Sequence, residues 1–366
     1  MKLRIFNPEH DIALATHTDN FTAPHAARHL RASLGFIPAF WADDGDLVLV
    51  DDSEAAAEAV RHMRGHAADV RFVTRDDLAL IPADDIEAID PWGWDSSLCY
   101  SLRTCNEGLA RLMPDSHRLD LIRTASNRMF AATHLLPQLR SIDRRLTGES
   151  CYCTTADELS ARLKSNGRSV LKAPWSSSGR GIRYVEREPD DNVMGWCRNI
   201  MERQGGIMAE PFYPKAIDFG MEFWHYADGN TEYRGLSLFD TRNGAYCGNI
   251  LATEADKRDM LAQYADMELV DKVRDSIISL TATLLGDWYE GAFGIDMMAV
   301  TGDDGKSQLI HPCVEMNLRR TMGHVALALS PDEHGPQGLM RIYASSGKYK
   351  LRVSATNDNL LDTGLV

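Results

Sequence analysis

The stretch that most constrains this chain is FGIDMMAVTGDDGKSQLIHPCVEMNLRR, residues 293–320. It predicts two strands, about Phe293 to Val300 and about Gln308 to Asn317. Between them Asp303-Asp304-Gly305-Lys306 reads as a hairpin turn, because glycine takes positive φ at little cost. Strand side chains alternate, so Glu315 and Asn317 point to one face, and Asp296 is a single acid in an otherwise apolar strand. Pairing the two strands would gather Asp296, Glu315 and Asn317 as hard oxygen ligands. Such a set suits Mg²⁺, which keeps several waters and takes one or two carboxylates plus substrate phosphates. Arg319 continues the alternation and would place a fixed cation beside that metal. The competing reading is a solvated strand end with ordinary surface charges.

The rest of the chain bounds what such a site can belong to. At 366 residues there is room for two or three domains, and 44% hydrophobic with 25% charged residues is a composition able to build real cores. A net charge of −14 argues against a general nucleic-acid or anionic-membrane surface, but a few local cations still suffice for a phosphate ligand. The apolar run at the N-terminus is cut by Pro8, Glu9 and Asp11, and no run is long enough to span a membrane. Seven cysteines without a CxxC pair point to a reduced, cytoplasmic protein.

The first third alternates strand and helix patterns, which suggests an open α/β layer. Strands are expected at Leu3 to Phe6, Gly35 to Trp41, Leu47 to Val50 and Val70 to Val73. Helices are expected from Pro24 to Leu34 and from a Ser53 N-cap to about Arg64. Asp90-Pro91-Trp92-Gly93-Trp94-Asp95 reads as a loop, whose tryptophans either pack or line a pocket, followed by helices over about 96–112 and 116–134. Later strands are expected near 149–153, 169–173, 207–212, 221–226 and 233–239, with helices over 156–164 and across much of 256–285. The tail carries one basic strand-like run, Tyr343 to Val353.

Two further stretches carry chemistry. In SVLKAPWSSSGRGIRYV a strand delivers Lys172, and the loop Ser176-Ser177-Ser178-Gly179-Arg180-Gly181 follows. Backbone N–H groups of a Gly-rich turn form a concave anion site, and Lys172 could reach phosphate oxygens; otherwise this is a surface hairpin. It fits neither a Walker A loop nor GxGxxG. In GIMAEPFYPKAIDFGMEFWHY a strand ends near Glu210-Pro211, leaving an apolar hinge able to present backbone groups to a flat ring. Glu210 could accept from an exocyclic amine, and Asp218 or Glu222 could reach a sugar hydroxyl; the alternative is a plain turn with exposed acids. Near the N-terminus, Asn7-Pro8-Glu9-His10-Asp11 follows the first strand, where open α/β sheets bind ligands. Either Glu9, His10 or Asp11 contacts a second substrate, or Asp11 caps a helix. His25 and His29 stand at a Zn²⁺-compatible spacing, but no HExxH accompanies them, and a solvated helix face is the favoured reading.

In order and content these parts resemble the ATP-grasp superfamily over about Ser126 to Ala326. Val314-Glu315-Met316-Asn317-Leu318-Arg319 is similar to that family's E-x-N-x-R, and Ser126-Asn127-Arg128-Met129-Phe130 to its entry motif, with Asn127-Arg128 in place of Asp-Lys. The resemblance implies an ATP-grasp fold of α/β and α+β layers behind an N-terminal open α/β domain. It places that domain at 1–125, the ATP-grasp domain at 126–330 (small lobe about 140–212, large lobe about 213–330) and a tail at 331–366 packed on the large lobe. It further implies ATP with Mg²⁺, or Mn²⁺, held by Asp296, Glu315 and Asn317. Lys172 and Arg128 would touch phosphates, Arg319 the γ-phosphate or acyl phosphate, and Ser176, Ser177, Ser178, Gly179 and Gly181 would close over them. Glu210, Phe212 and Tyr213 would meet the adenine, with Asp218 or Glu222 on the ribose. The implied activity is ligation of a small-molecule or peptide carboxylate to an amine or thiol through an acyl phosphate, with Glu9, His10, Asp11 and Arg320 toward the substrate. The alternatives are a phosphotransferase acting on a hydroxyl and a non-catalytic ATP-binding module. No nucleic-acid or membrane partner is implied, and a homodimer is open.

Overall fold

The computed structural model describes the chain except residues 62, 64, 177–180, 187, 243–244, 303–307, 333–336, 346 and 356–366, together with the side chains at 242 and 245. The expected turn at 303–306 therefore lies outside the described residues, as does most of the Ser/Gly loop. The chain divides into two compact units: 1–123 with 248–253 and 319–358, and 124–247 with 254–318 and 359–366.

The first unit opens with four parallel strands, β1 (Lys2–Ile5), β2 (Leu47–Leu49), β3 (Arg71–Val73) and β4 (Ala88–Pro91), in the order β3-β2-β1-β4. Leu3, Ile5, Leu47 and Val73 enter one apolar core with Leu78, Ile86, Leu98, Leu102 and Leu109, so short strands flanked by helices bury both kinds of element. On the polar side Arg4 is buried between Asp46 (2.8 Å) and Asp90 (2.6 Å), and Asp90 also accepts from Arg320 at 2.7 Å. Burial alone would raise the Asp90 carboxyl, but Arg320 and Arg4 outweigh it and hold the group below the usual range.

Several local expectations change. Gly35 to Trp41 is not a strand: Ile37–Phe40 is a 3₁₀ helix with Pro38, which lacks an N–H, in its first turn. Asp52, not Ser53, supplies the capping oxygen for the helix Ser53–Arg61, to Ala55 N at 3.0 Å. The expected loop at Asp90-Pro91 begins inside β4, whose proline stands at the strand's last position. The helix expected over 96–112 breaks at the extended Asn106, whose amide donates to Leu78 O and Ile81 O. The helix expected over 116–134 breaks before Asn127, which caps Arg128–His134 by accepting from Met129 N at 2.8 Å.

The second unit holds two sheets. In the smaller, β5 (Cys151–Cys153), β6 (Ser169–Lys172), β7 (Ile182–Val185) and β8 (Ile207–Pro211) run in the order β5-β8-β6-β7. Leu171 pairs with Ala209, and both face a core with the helices Ala156–Asn166 and Asp191–Gln204. The alternation therefore sends Lys172, opposite Met208, and Glu210, opposite Val170, to the other face. A capping box between Thr155 and Glu158 starts the first of those helices at the expected place.

The larger sheet of this unit carries β9 (Lys215–His225), β10 (Thr231–Arg242), the start of β11 (Ala245–Leu251), β12 (Gly291–Thr301) and β13 (Gln308–Asn317). β13, β12, β9 and β10 lie side by side, all antiparallel. Phe223 and Phe293 stack at 5.0 Å on the buried face, which the helix Met267–Leu285 covers.

The tail, expected on the large lobe at 213–330, groups with 1–123 and with 248–253, and the latter residues fall inside that expected lobe. It forms a hairpin, β14 (Gly338–Ser345) and β15 (Lys348–Ala355), where a single run was expected. Leu339 and Met340 of β14 pair with Ile250 and Asn249 of β11. β15 packs on the helix His25–Leu34, with Tyr349 N donating to Ser33 Oγ at 3.2 Å. In that helix His29 Nδ1 is 3.2 Å from Gly347 O, and the His29 ring lies 4.1 Å from that of His25. Among the described residues no helix is long and apolar enough to cross a membrane.

Candidate nucleotide and metal site

Register across β9, β12 and β13 puts the candidate acids of the larger sheet in three rows on one face. Glu222, Gly294 and Asn317 make the first row; Gly220, Asp296 and Glu315 the second; Asp218, Met298 and His311 the third. Because directly opposed residues share a face, the triad expected from residues 293–317 is assembled. Asn317 Nδ2 donates to Asp296 Oδ2 at 3.0 Å, which aims the amide oxygen elsewhere and ties the two side chains. Among the described residues no group of three or more His, Cys, Asp or Glu side chains converges at metal distance. The set is two carboxylates and an amide, a hard-oxygen set that fits an octahedral ion completed by water and phosphate.

Arg128 links this row to the smaller sheet's loop. Its guanidinium donates to Ala173 O at 2.6 Å, to Ser176 Oγ at 2.8 Å and to Glu315 at 2.8 Å. Its position follows from the helix break: the Asn127 cap makes Arg128 the first residue of a helix packed on β13. Gly181 O accepts from Ala173 N at 2.8 Å, so the loop's two ends are pinned together. Of the loop residues expected on phosphate, Ser176 and Gly181 stand at this base; Ser177, Ser178 and Gly179 lie outside the described residues.

Lys172 and Glu210 meet diagonally across β6 and β8. Lys172 Nζ is 2.6 Å from Glu210 Oε2, with the residues 6% and 5% exposed. Ser150 Oγ donates to the other oxygen at 3.0 Å. Both oxygens of Glu210 are thus engaged, and Glu210 is the counter-ion of Lys172. Among the hinge residues, Phe212 stacks under the Arg168 guanidinium at 3.5 Å and Tyr213 meets the edge of His311 at 5.4 Å. Asp218 accepts from Lys215 (2.5 Å) and Thr241 (2.6 Å), whereas Glu222 stands in the row of Asn317, beside the metal candidates rather than the hinge.

His311 stands in the third row of that face. It is 1% exposed, and among the described residues neither ring nitrogen has a hydrogen-bond partner. Gly148 accommodates it: a Cβ there would come within 2.5 Å of the ring, and its φ of +118° favours glycine as well. Desolvation first, then the charges of Lys172 and Arg140, lower the imidazole to about 3, so it is neutral at physiological pH. Its lone position in an apolar strand offered no signal.

In the first unit the substrate candidates gather where β1 and β4 end. Asn7 Nδ2 donates to Gly93 O at 2.8 Å, and His10 Nδ1 lies 3.4 Å from Asp95 Oδ2. The His10 ring lies so close to Gly93 that a Cβ would sit 2.8 Å from it, which couples the two loops. Asp11 does not cap: it lies in the first turn of His10–Thr16, where Arg319 grips it with Nη2 to Oδ2 at 2.8 Å. Arg319 therefore has a carboxylate partner inside its own unit, and Arg320 crosses Trp41 at 4.7 Å on its way to Asp90.

No family model matches the chain, and no curated protein matches its sequence. Solved structures do resemble it. A putative ATP-grasp superfamily protein from Archaeoglobus fulgidus aligns over 98% of this chain and 100% of its own, at TM-score 0.51 and 14% identity. The biotin carboxylase domain dimer of Hydrogenobacter thermophilus 2-oxoglutarate carboxylase, solved with magnesium ADP, ADP and bicarbonate, aligns over 85% and 72% at 0.52 and 14%. The fold is the ATP-grasp fold, a mixed α/β architecture with one parallel and further antiparallel sheets.

Proposed function

We propose that this chain is an ATP-dependent ligase that joins a carboxylate to an amine or thiol through an acyl phosphate. The observation that carries the reading is the three-row face of β9, β12 and β13, with Arg128 bridging Glu315 to the loop base. Asp296, Glu315 and Asn317 would hold Mg²⁺, which when bound offsets charge on the phosphates of ATP. Lys172 and Arg128 add the fixed cations that phosphoryl transfer requires. A metal on Glu315 would compete with Arg128 for the carboxylate, while phosphate oxygens would compete with Glu315 for the guanidinium. Binding of metal and nucleotide would thus exchange partners among buried charges instead of exposing new ones. Glu210 positions Lys172 and keeps its ammonium on the side away from the helices. No covalent nucleophile is needed. The biotin carboxylase domain of similar fold, solved with magnesium ADP, ADP and bicarbonate, agrees with this class of chemistry.

The test is calorimetry of ATP with and without Mg²⁺, followed by phosphate release across pairs of carboxylates and amines. We expect Mg²⁺-dependent ATP binding and release that needs both members of a pair, with Glu315→Ala slowing turnover by about 10²–10³-fold. A stable phosphorylated hydroxyl product with no need of an amine would replace the ligase by a phosphotransferase. Binding with no release in any pairing would leave a non-catalytic module.

A further inference from the structure

The first unit contains a cavity of 740 Å³ lined by residues at or just beyond the carboxyl ends of β1, β2, β3 and β4, among them Asn7, Asp51, Arg75 and Asp95, within the size range of small-molecule sites. The strand order β3-β2-β1-β4 places successive strands to one side of β1 and then the next on the other. In open α/β sheets that reversal is where ligands bind. We propose that this cavity holds a small zwitterion, an amino acid or short peptide, with Glu9 accepting from its ammonium group.

Glu9 is 8% exposed and lines the cavity. Arg31 holds its Oε1, while among the described residues Oε2 has no hydrogen-bond partner. Leaving a buried carboxylate oxygen unmet costs free energy unless a donor from a ligand reaches it. Desolvation raises the Glu9 carboxyl despite Arg31. The lining as a whole carries five acids and three arginines, so a cationic donor suits it better than a neutral one. One of those arginines, Arg28, is exposed, and the described residues give its guanidinium no ion-pair partner; it is placed to take a carboxylate. Phe6, Phe21 and Val50 offer apolar surface for a side chain between the two. Neither Asn7 nor Asp95 competes with Glu9 for the ammonium, since each is committed to the Gly93 and His10 contacts. This deepens the ligase reading by naming the class of its amine substrate, and rests on that reading for the word substrate alone.

The experiment uses the full chain without nucleotide or metal. Calorimetry and thermal shift are run with the standard amino acids and glycylglycine, then with the N-acetyl derivative of the tightest binder. At least one free zwitterion should bind, and N-acetylation, which removes the ammonium, should weaken it by about tenfold or more. Glu9→Gln should do the same, and Arg28→Ala should weaken binding severalfold. Failure of every probe, equal binding of the N-acetyl derivative, or undiminished binding to a folded Glu9→Gln protein would each overturn the proposal. Zwitterion binding without any ATP binding would overturn the ligase reading alone; ATP turnover on carboxylate–amine pairs with no zwitterion binding would overturn this one alone.

Discussion

Two regions of this chain hold buried charge, and they hold it differently. At the polar edge of the first unit, Arg4, Asp46, Asp90 and Arg320 form one network that extends to Asp43, with Asp90 bound by two guanidinium groups. In the second unit the charges come in pairs that bridge separate pieces of structure: Lys172 with Glu210 across two strands, and Arg128 with Glu315 across a helix and a sheet. A carboxylate held by two guanidinium groups has little to exchange with a ligand. A bridging pair can trade one partner for phosphate or metal without leaving either charge bare. Burial and a salt bridge alone therefore do not separate a structural charge from a functional one; the connectivity of the pair does.

The largest effect should come from breaking the Lys172–Glu210 pair. Lys172→Ala leaves Glu210 buried without its cation and should cost about 3–5 kcal/mol of stability, read by urea unfolding. The double variant Lys172→Met/Glu210→Gln should recover most of that loss, because no lone charge remains. ATP affinity should stay low in both. A double variant as unstable as the single one would mean that the lysine's packing, not its charge, holds the strands.

Much of this second-unit pattern was legible beforehand, for a physical reason. Glu315 and Asn317 lie on one strand, and a period of two needs no knowledge of the partner to predict a shared face. Asp296 stood out as an acid among apolar neighbours. What could not be read was register, a property of three strands together. Glu222 reads as one of two candidates for a sugar hydroxyl, whereas pairing with Gly294 sets it beside Asn317. Glu210 reads as an acceptor at the end of a strand, and only the register shows a lysine diagonally across from it. In the first unit apolar runs misled: Ile37–Phe40 has a strand's composition but a proline that suits a tight helical turn. The single-helix reading of 116–134 missed the Asn127 cap, although Ser126-Asn127 is the kind of dipeptide that starts helices.

An intermediate effect sharpens the contrast from the other side. Asp90→Asn removes the carboxylate shared by Arg4 and Arg320, and should cost about 2–4 kcal/mol in unfolding experiments. If the first unit's set is structural, ADP affinity measured well below the unfolding transition should stay within about twofold of wild type. A drop in affinity as large as that at Lys172→Ala would erase the distinction between the two regions.

The smallest effect concerns His311, which belongs to neither pattern because it is buried beside Lys172 and carries no charge. Its folded pKa of about 3 lies below the ordinary histidine value of 6.5. Between those two pH values the unfolded chain binds a proton that the folded chain refuses, so unfolding becomes easier as acid is added. The sign is fixed by that difference: no contribution above about pH 6.5, and a growing destabilisation from there down toward pH 3. The slope should be on the order of 1 kcal/mol per pH unit, superposed on the titration of the carboxylates. His311→Leu, which fits an apolar strand and cannot protonate, should flatten the acid limb of the stability curve by that slope while changing stability little at neutral pH. An unchanged acid limb would mean that His311 takes up its proton in the folded protein. In that case Lys172 would share its surroundings with a second cation, and the ammonium of Lys172 would not be the isolated charge that the bridging pair requires.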